Sequence, residues 1–509
     1  MNVEQKILLL FSRLTWPSGL VKERACNAIA ELSLSPMYKD LVFDKLKKWI
    51  ASQSLESIVC IGLLSLIRLQ ILDKTIEVPR SNILSDLIQN RSLLSWLLLN
   101  EINPDDPLIL ENFLECSENA PIGYEPNQFF QKYIEVFIPP IFNSRAQDLE
   151  KDKNISFHKQ WAYEWDYLLQ KINKLPSAKL INHWFIKDYL GEHYISAETE
   201  MSHIYFSSYL RTLAWACKIG VLDKEVAIYL AAEICPIDIE LWKLAPLVRP
   251  KWWPKATEPK GMTDTAIGQI WDQVENLWRN QNANTTNLLN KEWILTQASG
   301  TVFHGKIIYD LELCGIFQKC FGPKIPAPEK IIQWYRGMDN STQKNRLRII
   351  FNSRLSFKGI IKSHEAEALE RRFDDWAIIP SASYSIITTR WQPWRLQRSI
   401  WLPSSALGNP PISFSFKEDC IRIDDSNQMI SKWNDWTDGI AETQYDYIPR
   451  GSGQYLLIKR SILEDFYKLT DFVFCWVCRL NVFYREQDFV PYKQFSDFRY
   501  FGESRVVKL

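Results

Sequence analysis

The stretch Trp16-Pro17-Ser18-Gly19-Leu20-Val21-Lys22-Glu23-Arg24-Ala25-Cys26-Asn27-Ala28-Ile29-Ala30-Glu31-Leu32 sets the architecture of the N-terminal half. Leu20, Val21, Ala25, Ala28, Ile29 and Leu32 recur at helical spacing on one broad face, and Lys22, Glu23, Arg24 and Glu31 fall largely off it. Pro17 suits a first helical turn, where its missing N–H is no loss and its fixed φ is already helical. Such a helix cannot bury its face alone. The sequence supplies neighbours at residues 54–69, with Ile58, Ile61, Leu64 and Leu66, and at 83–88 and 93–99, between short polar or proline-containing breaks. Units this thin stack on one another.

Pro104, Pro107, Pro121, Pro126, Pro139 and Pro140 then interrupt the pattern, and the polar run 145–154 reads as a surface excursion. Helical signals resume at 157–165, 197–219 and 224–234. Arg211 lies among Tyr205, Tyr209, Leu210, Leu213, Ala214 and Ala216, so a packed helix would bury it and it needs a carboxylate. Glu198 or Glu200 is the expected partner. Residues 235–254, rich in Pro and Trp, read as a rigid, irregular connection, 256–265 as a linker, and 267–278 as an amphipathic helix through Ile267, Ile270, Trp271, Val274, Leu277 and Trp278.

From about residue 291 the period changes to two. Strands are expected at 293–295, 301–303, 306–313, 376–379, 384–389, 412–416, 455–458 and 472–482, with helices at 329–335, 364–373 and 461–469. The fold class is therefore a mainly α N-terminal half followed by an α+β C-terminal domain. The expected divisions are a helical array over 1–118, a second helical subdomain over 119–255, and the α+β domain over 266–509.

Composition narrows the function. Lys+Arg and Asp+Glu are both 60, so no global field attracts phosphate backbones or anionic membranes, and only a local patch could bind nucleic acid. Only 18 Gly disfavours folds built on Gly-rich phosphate loops, while 21 Trp points to a bulky core, some of it available to line a recognition surface. The ten cysteines mostly lie singly in apolar runs and read as reduced residues of a cytoplasmic chain. Residues 7–11 are too short for a secretory apolar segment, and no run of eighteen apolar residues spans a membrane.

There is no GxxxxGK; Gly451-Ser452-Gly453 reads as a turn into the strand 455–458. Cys475 and Cys478 form the lone CxxC, with no second pair or nearby histidine to complete a zinc site, and the six histidines fit no metal spacing. Catalytic residues, metal and cofactor are each expected to be none. Asp310 and Glu312 share a strand face, as in metal-dependent nucleases, but position 314 is cysteine where those enzymes carry lysine; Asp424-Asp425 ends another strand. Arg390, Trp391, Trp394, Arg395 and Arg398 interleave cations with aromatics, with Lys344, Arg346, Arg348 and Arg354 upstream. That mixture can stack bases and neutralise phosphates, and it can equally be a proline-stiffened loop with core tryptophans.

Pro17, Val21, Arg24, Ala25, Ala28, Ile29 and Leu32 resemble the first helix of a HEAT-type repeat. The pattern does not recur at a fixed period, so HEAT-like helical repeats and an irregular helical bundle both stay open. Residues 202–254, with Ser207-Ser208-Tyr209-Leu210-Arg211-Thr212-Leu213-Ala214, and residues 451–477 resemble the long non-catalytic helical regions of bacterial antiviral STAND-type ATPases and related HEAT-like defence proteins. The resemblance implies a sensor or scaffold module of an anti-phage system; the ATPase core that normally accompanies such regions is missing from this sequence, which implies either a separately encoded ATPase or effector partner or a stand-alone protein. The expected function is a non-enzymatic interaction protein with a protein partner; a carboxylate nuclease and a nucleic-acid sensor are the alternatives.

Overall fold

The computed structural model describes residues 2–138, 140–173, 199–237, 239–242, 247–255, 263–282, 292–304, 307–319, 372–373, 376–378, 381–385, 399–403, 412–416, 420–425, 428–438, 440–442, 447–449, 451–462, 464, 472–484, 493–502 and 506–508. The described residues fall into two compact units, those up to Trp242 and those from 247 on. The first is helical and the second is built on an antiparallel sheet, as the change of period predicts.

The first unit opens with α1 (Val3–Arg13), α2 (Gly19–Leu34), α3 (Pro36–Ser52), α4 (Glu56–Leu72), α5 (Ser81–Leu87) and α6 (Leu93–Ile102). Ser18 is the N-cap of α2, so Pro17 stands just outside the helix that it was expected to begin. A 3₁₀ turn at Leu110–Phe113 leads on to α7 (Gln128–Phe137), α8 (Pro140–Lys153), α9 (Phe157–Lys171), α10 (Glu200–Lys218), α11 (Lys224–Ala232) and α12 (Ile239–Trp242).

Two of these helices are enclosed. In α4 every residue from Glu56 to Ile67 is buried, and in α10 every residue from Met201 to Ala216. The α4 sequence Ile-Val-Cys-Ile-Gly-Leu-Leu-Ser-Leu-Ile offers no polar side to water, which is why it runs through the middle. In α10 the interior hydroxyls bond locally: Ser208 Oγ donates to the Tyr205 carbonyl at 2.9 Å and Thr212 Oγ1 to the Ser208 carbonyl at 2.8 Å. Aromatics fill the space beside it, with Trp161 edge-on to Tyr209 at 4.9 Å and Phe130 stacked on Tyr205 at 5.3 Å. Trp161, Trp165 and Trp242 are fully buried, so in this unit the tryptophans are chiefly core.

The polar run 145–154 is not an excursion. Residues 145–153 belong to α8, because Phe142, Ala146 and Leu149 form a narrow buried seam that the charged residues obscure in the sequence. Asn154, at φ 52°, follows the helix in the left-handed region.

In the second unit α13 (Thr263–Asn282) precedes β1 (Trp293–His304) and β2 (Ile307–Lys319), and later strands complete a sheet. Those that position the residues of interest are β4 (Trp376–Ile378), β7 (Ile412–Phe416), β8 (Ile421–Asp425), β9 (Gln428–Thr437), β12 (Gly451–Lys459), β13 (Phe472–Tyr484), β14 (Lys493–Phe501) and β15 (Val506–Lys508). Their order is β15-β14-β13-β2-β1-β12-β9-β8-β7, every neighbour antiparallel. β4 pairs with β2 at Ile316, beyond the point where β1 ends its pairing at Cys314. Residues 372–373, expected to close a helix, form the short strand β3 (Arg372–Phe373), which pairs with β4.

The helix expected over 267–278 lies within α13. Its Trp278 meets Trp476 at 4.9 Å and Phe474 at 5.6 Å, and Trp271 meets Phe501 at 6.3 Å, all on one face of the sheet. At the bulge in β1, Gln281 of α13 accepts from the Leu295 N–H at 3.0 Å and donates to its carbonyl at 3.3 Å, satisfying backbone groups that the ladder leaves open.

Two short strands expected at 293–295 and 301–303 are one strand, and Gly451-Ser452-Gly453 is not a turn but the start of β12. Both corrections have one cause. A Cβ on Gly300 would lie 2.8 Å from the Trp253 ring and 2.9 Å from the Ser452 carbonyl, and a Cβ on Gly453 would lie 2.7 Å from both the Ser299 carbonyl and the Trp436 ring. These glycines make room for Trp253 and Trp436, whose rings sit 4.9 Å apart over the sheet. Gly453→Ala is therefore expected to cost about 1–3 kcal/mol. Gly268→Ala in α13, where nothing lies within 4 Å, is expected to gain about 0.5–1 kcal/mol instead. Opposite shifts in melting temperature check the pair; equal shifts would contradict it.

Candidate functional site

Asp310 and Glu312 do share a face of β2, opposite Thr301 and Ser299 of β1 and Asn481 and Arg479 of β13. Thr301 Oγ1 donates to Asp310 Oδ1 at 2.6 Å, and Glu312, 3% exposed, lies 3.1 Å from the Arg479 guanidinium. On β8, Arg422 Nε donates to Asp424 Oδ1 at 2.6 Å. Asp310, Glu312 and Asp424 are each held by a neighbouring cation or hydroxyl. Among the described residues, no group of three or more His, Cys, Asp or Glu is placed to hold a metal ion.

Cys475 and Cys478 lie three apart on β13, so their side chains leave opposite faces of the strand and cannot bind one ion together. Tyr500 Oη donates to Cys475 Sγ at 2.7 Å, and burial holds the Cys478 thiol well above the usual thiol range. Every described cysteine is a free thiol. Arg390, Trp391, Trp394, Arg395 and Arg398 lie outside the described residues, as do Lys344, Arg346, Arg348 and Arg354.

In the first unit the structure assembles two polar clusters that no motif predicted. Arg211 pairs with Glu164 of α9, at 2.7 Å from Nε to Oε2, and not with Glu200; Glu198 lies outside the described residues. Residues 200 and 211 are eleven apart on one helix, roughly 16 Å along its axis, beyond side-chain reach. Glu164 also accepts from Ser117 N–H at 2.6 Å and Ser117 Oγ at 3.0 Å, and the guanidinium stands 4.6 Å over the Tyr167 ring. Close by, burial pushes the Glu56 carboxyl up to about 7, with the charge of Glu115 adding to it and Ser92, Ser95 and Arg211 opposing it.

The second cluster has the outline of a catalytic dyad. Ser57 Oγ is 3.0 Å from His203 Nδ1, and Lys22 Nζ is 2.8 Å from His203 Nε2. With Lys22 as the ammonium, which has donors only, Nε2 accepts and the ring proton of a neutral imidazole is assigned to Nδ1, pointing at Ser57. A base that activates serine needs a lone pair there. The proton direction is the reverse of that required, and Ser57 turns its own hydrogen to the His203 carbonyl at 3.0 Å or to Ser207 Oγ at 3.0 Å. Lys22 of α2, Ser57 of α4 and His203 of α10 are all buried, and the chain ties three helices together. Of the other histidines, His158 is held by Glu150 at 3.0 Å and Asn143 at 2.7 Å. His183, His193 and His364 lie outside the described residues.

A surface cavity of about 730 Å³ lies between α1 and α2. Val3, Lys6, Ile7, Leu9, Leu10 and Arg13 form its α1 wall and Ala28, Glu31 and Leu32 its α2 wall, closed by Ser35 between the helices and Tyr38 of α3. The five consecutive apolar residues 7–11 pass all round a helix, since each advances about 100°. Ile7 and Phe11 turn inward and are buried, whereas Leu8 and Leu9 stay 49% and 43% exposed. The sequence contained this signal as an apolar run and gave no means of telling which neighbours would cover it.

Compared with protein-family models and with curated proteins, the chain matches none. Among the described residues no helix is long and apolar enough to cross a membrane.

Proposed function

We propose that the chain is a non-enzymatic interaction protein, a scaffold or sensor, and that it receives a protein partner in the α1–α2 groove. The supporting observation is the uncovered apolar wall of α1, where Leu9 and Val3 are 43% and 37% exposed beside the buried Ile7. An apolar surface of this kind is stabilised when a partner covers it. The groove is preformed. Asn2 and Gln5 close a capping box at the start of α1, with reciprocal bonds of 2.8 and 3.0 Å, and Glu4 is bound by Lys45 of α3.

Free thiols fit a cytoplasmic setting, and the resemblance to defence-associated helical regions motivates a role beside a separately encoded ATPase or effector. The test places a photo-crosslinking residue at Ala28 in the native host, with and without phage challenge. One defined, stoichiometric adduct is expected, lost on Leu9→Asp; absence of any Leu9-dependent adduct in both conditions would sink the proposal.

A further inference from the structure

We infer that the occupant of this groove is an amphipathic helix of another protein, its apolar stripe bordered by carboxylates about seven residues apart; the inference rests on the groove being a protein-docking site. Its walls are two helical stripes. Val3, Lys6, Ile7, Leu10 and Arg13 follow i, i+3, i+4, i+7 and i+10 on α1, and Ala28, Glu31 and Leu32 follow i, i+3 and i+4 on α2, with Ser35 at its C-cap. Two helices side by side present a trough with the width and direction of a third, and an extended strand would leave its backbone N–H and C=O groups unmet against side chains alone.

Charge selects the kind of helix. Lys6 and Arg13 stand on the α1 rim, seven residues and roughly 10.5 Å apart, two full turns along the axis. Neither is in an ion pair among the described residues, although Glu4 on the same helix is. A docked helix carrying carboxylates at the same seven-residue interval meets both cations. The α2 rim presents the single carboxylate Glu31, so the excess of the groove is positive and the favoured flank is acidic.

A second copy of the chain fits poorly. Two α1 helices related by a twofold axis run antiparallel when the axis lies across them, which sets Lys6 of one against Arg13 of the other, and parallel when it lies along them, which sets each cation against its own copy; cation meets cation in either case. The partner is therefore a different chain.

The experiment uses the full-length protein and two synthetic peptides of about 18 residues, stapled to hold the helix and alike in their leucine stripe, one with Glu and one with Lys at seven-residue spacing on both flanks. At low ionic strength the Glu-flanked peptide is expected to bind about tenfold tighter, the preference shrinking as salt shortens the screening length below the ~10 Å found at 0.1 M. Lys6→Glu/Arg13→Glu, at exposed positions that leave the fold alone, is expected to invert the order, and Leu9→Asp to abolish both. Equal affinities, an unchanged order in the double variant, or no binding by either peptide would overturn the acidic-helix occupant. If a Leu9-dependent adduct still formed in cells, the docking site itself would stand. A homodimer in sedimentation that Leu9→Asp dissolves would instead give the groove to a second copy, and that too overturns the inference.

Discussion

Glu164→Ala is expected to destabilise the first unit by about 3–5 kcal/mol, the range found when one member of a buried ion pair is removed and the other is left behind. Glu164 is 0% and Arg211 6% exposed at the side chain, so water cannot take over from the lost partner. The carboxylate is the hub. It accepts from Arg211 Nε, from the Ser117 amide and hydroxyl, and, at 3.5 Å, from Gln160 Nε2. Its loss strands a guanidinium whose remaining contacts are Ser117 Oγ at 3.3 Å and the Tyr167 ring.

Removing the other partner is milder. Arg211→Met leaves Glu164 with the two Ser117 donors, so about 2–3 kcal/mol is expected. Glu164→Leu/Arg211→Met abolishes both charges and should be less damaging than Glu164→Ala, since the ordering of the variants reflects an unpaired charge and not a count of contacts. Urea titrations read by hydrogen exchange of α9 and α10 peptides isolate this unit from the rest of the chain. A Glu164→Ala cost below about 1 kcal/mol would show that Arg211 finds another acceptor.

The same pair marks how far the sequence could be read. An arginine among Tyr205, Leu210 and Leu213 demands a carboxylate, and that requirement is met; the partner comes from 47 residues upstream, a distance that spacing rules do not reach. Helical periods located α2, α4, α6, α9 and α10 because each has a strong apolar face. They missed α8, whose face is only Phe142, Ala146 and Leu149 wide. In the second unit β9 escaped because Asn434 and Asp435 are depleted in strands, yet both are buried there between Trp433 and Trp436. The glycines misled for a different reason: in sequence a Gly-Ser-Gly looks like a turn, and only the packed rings show that it is space. The groove was half legible. Five apolar residues in a row announce a helix needing cover on every side, but what remains uncovered depends on where α2 and α3 lie.

Glu56→Met is expected to stabilise the first unit above neutral pH while doing little in acid. Glu56 opens α4, is 2% exposed, and its Oε1 has no hydrogen-bond partner; burial raises its carboxyl from an ordinary 4.5 to about 7. Because the folded value lies above the unfolded one, the native state keeps the proton that the unfolded chain releases between pH 4.5 and 7. Stability is therefore full below that window, declines as the pH rises through it, and above it carries the whole cost, about 3 kcal/mol at 1.36 kcal/mol per unit. Methionine has nearly the same length and no charge to desolvate. Ser92 and Ser95 lose little, since Ser92 Oγ accepts from the Leu94 amide at 3.1 Å and Ser95 Oγ donates to the Ser92 carbonyl at 3.0 Å. The difference in unfolding free energy between variant and parent should thus be nearly flat below pH 4.5, widen by about 3 kcal/mol towards pH 8, and stay there. Titrations at several pH values, read on the α4 and α10 peptides, measure it directly. A pH-independent difference would mean that the Glu56 carboxylate reaches water or a cation in the folded chain, and that the interior around α4 is more polar than its sequence implies.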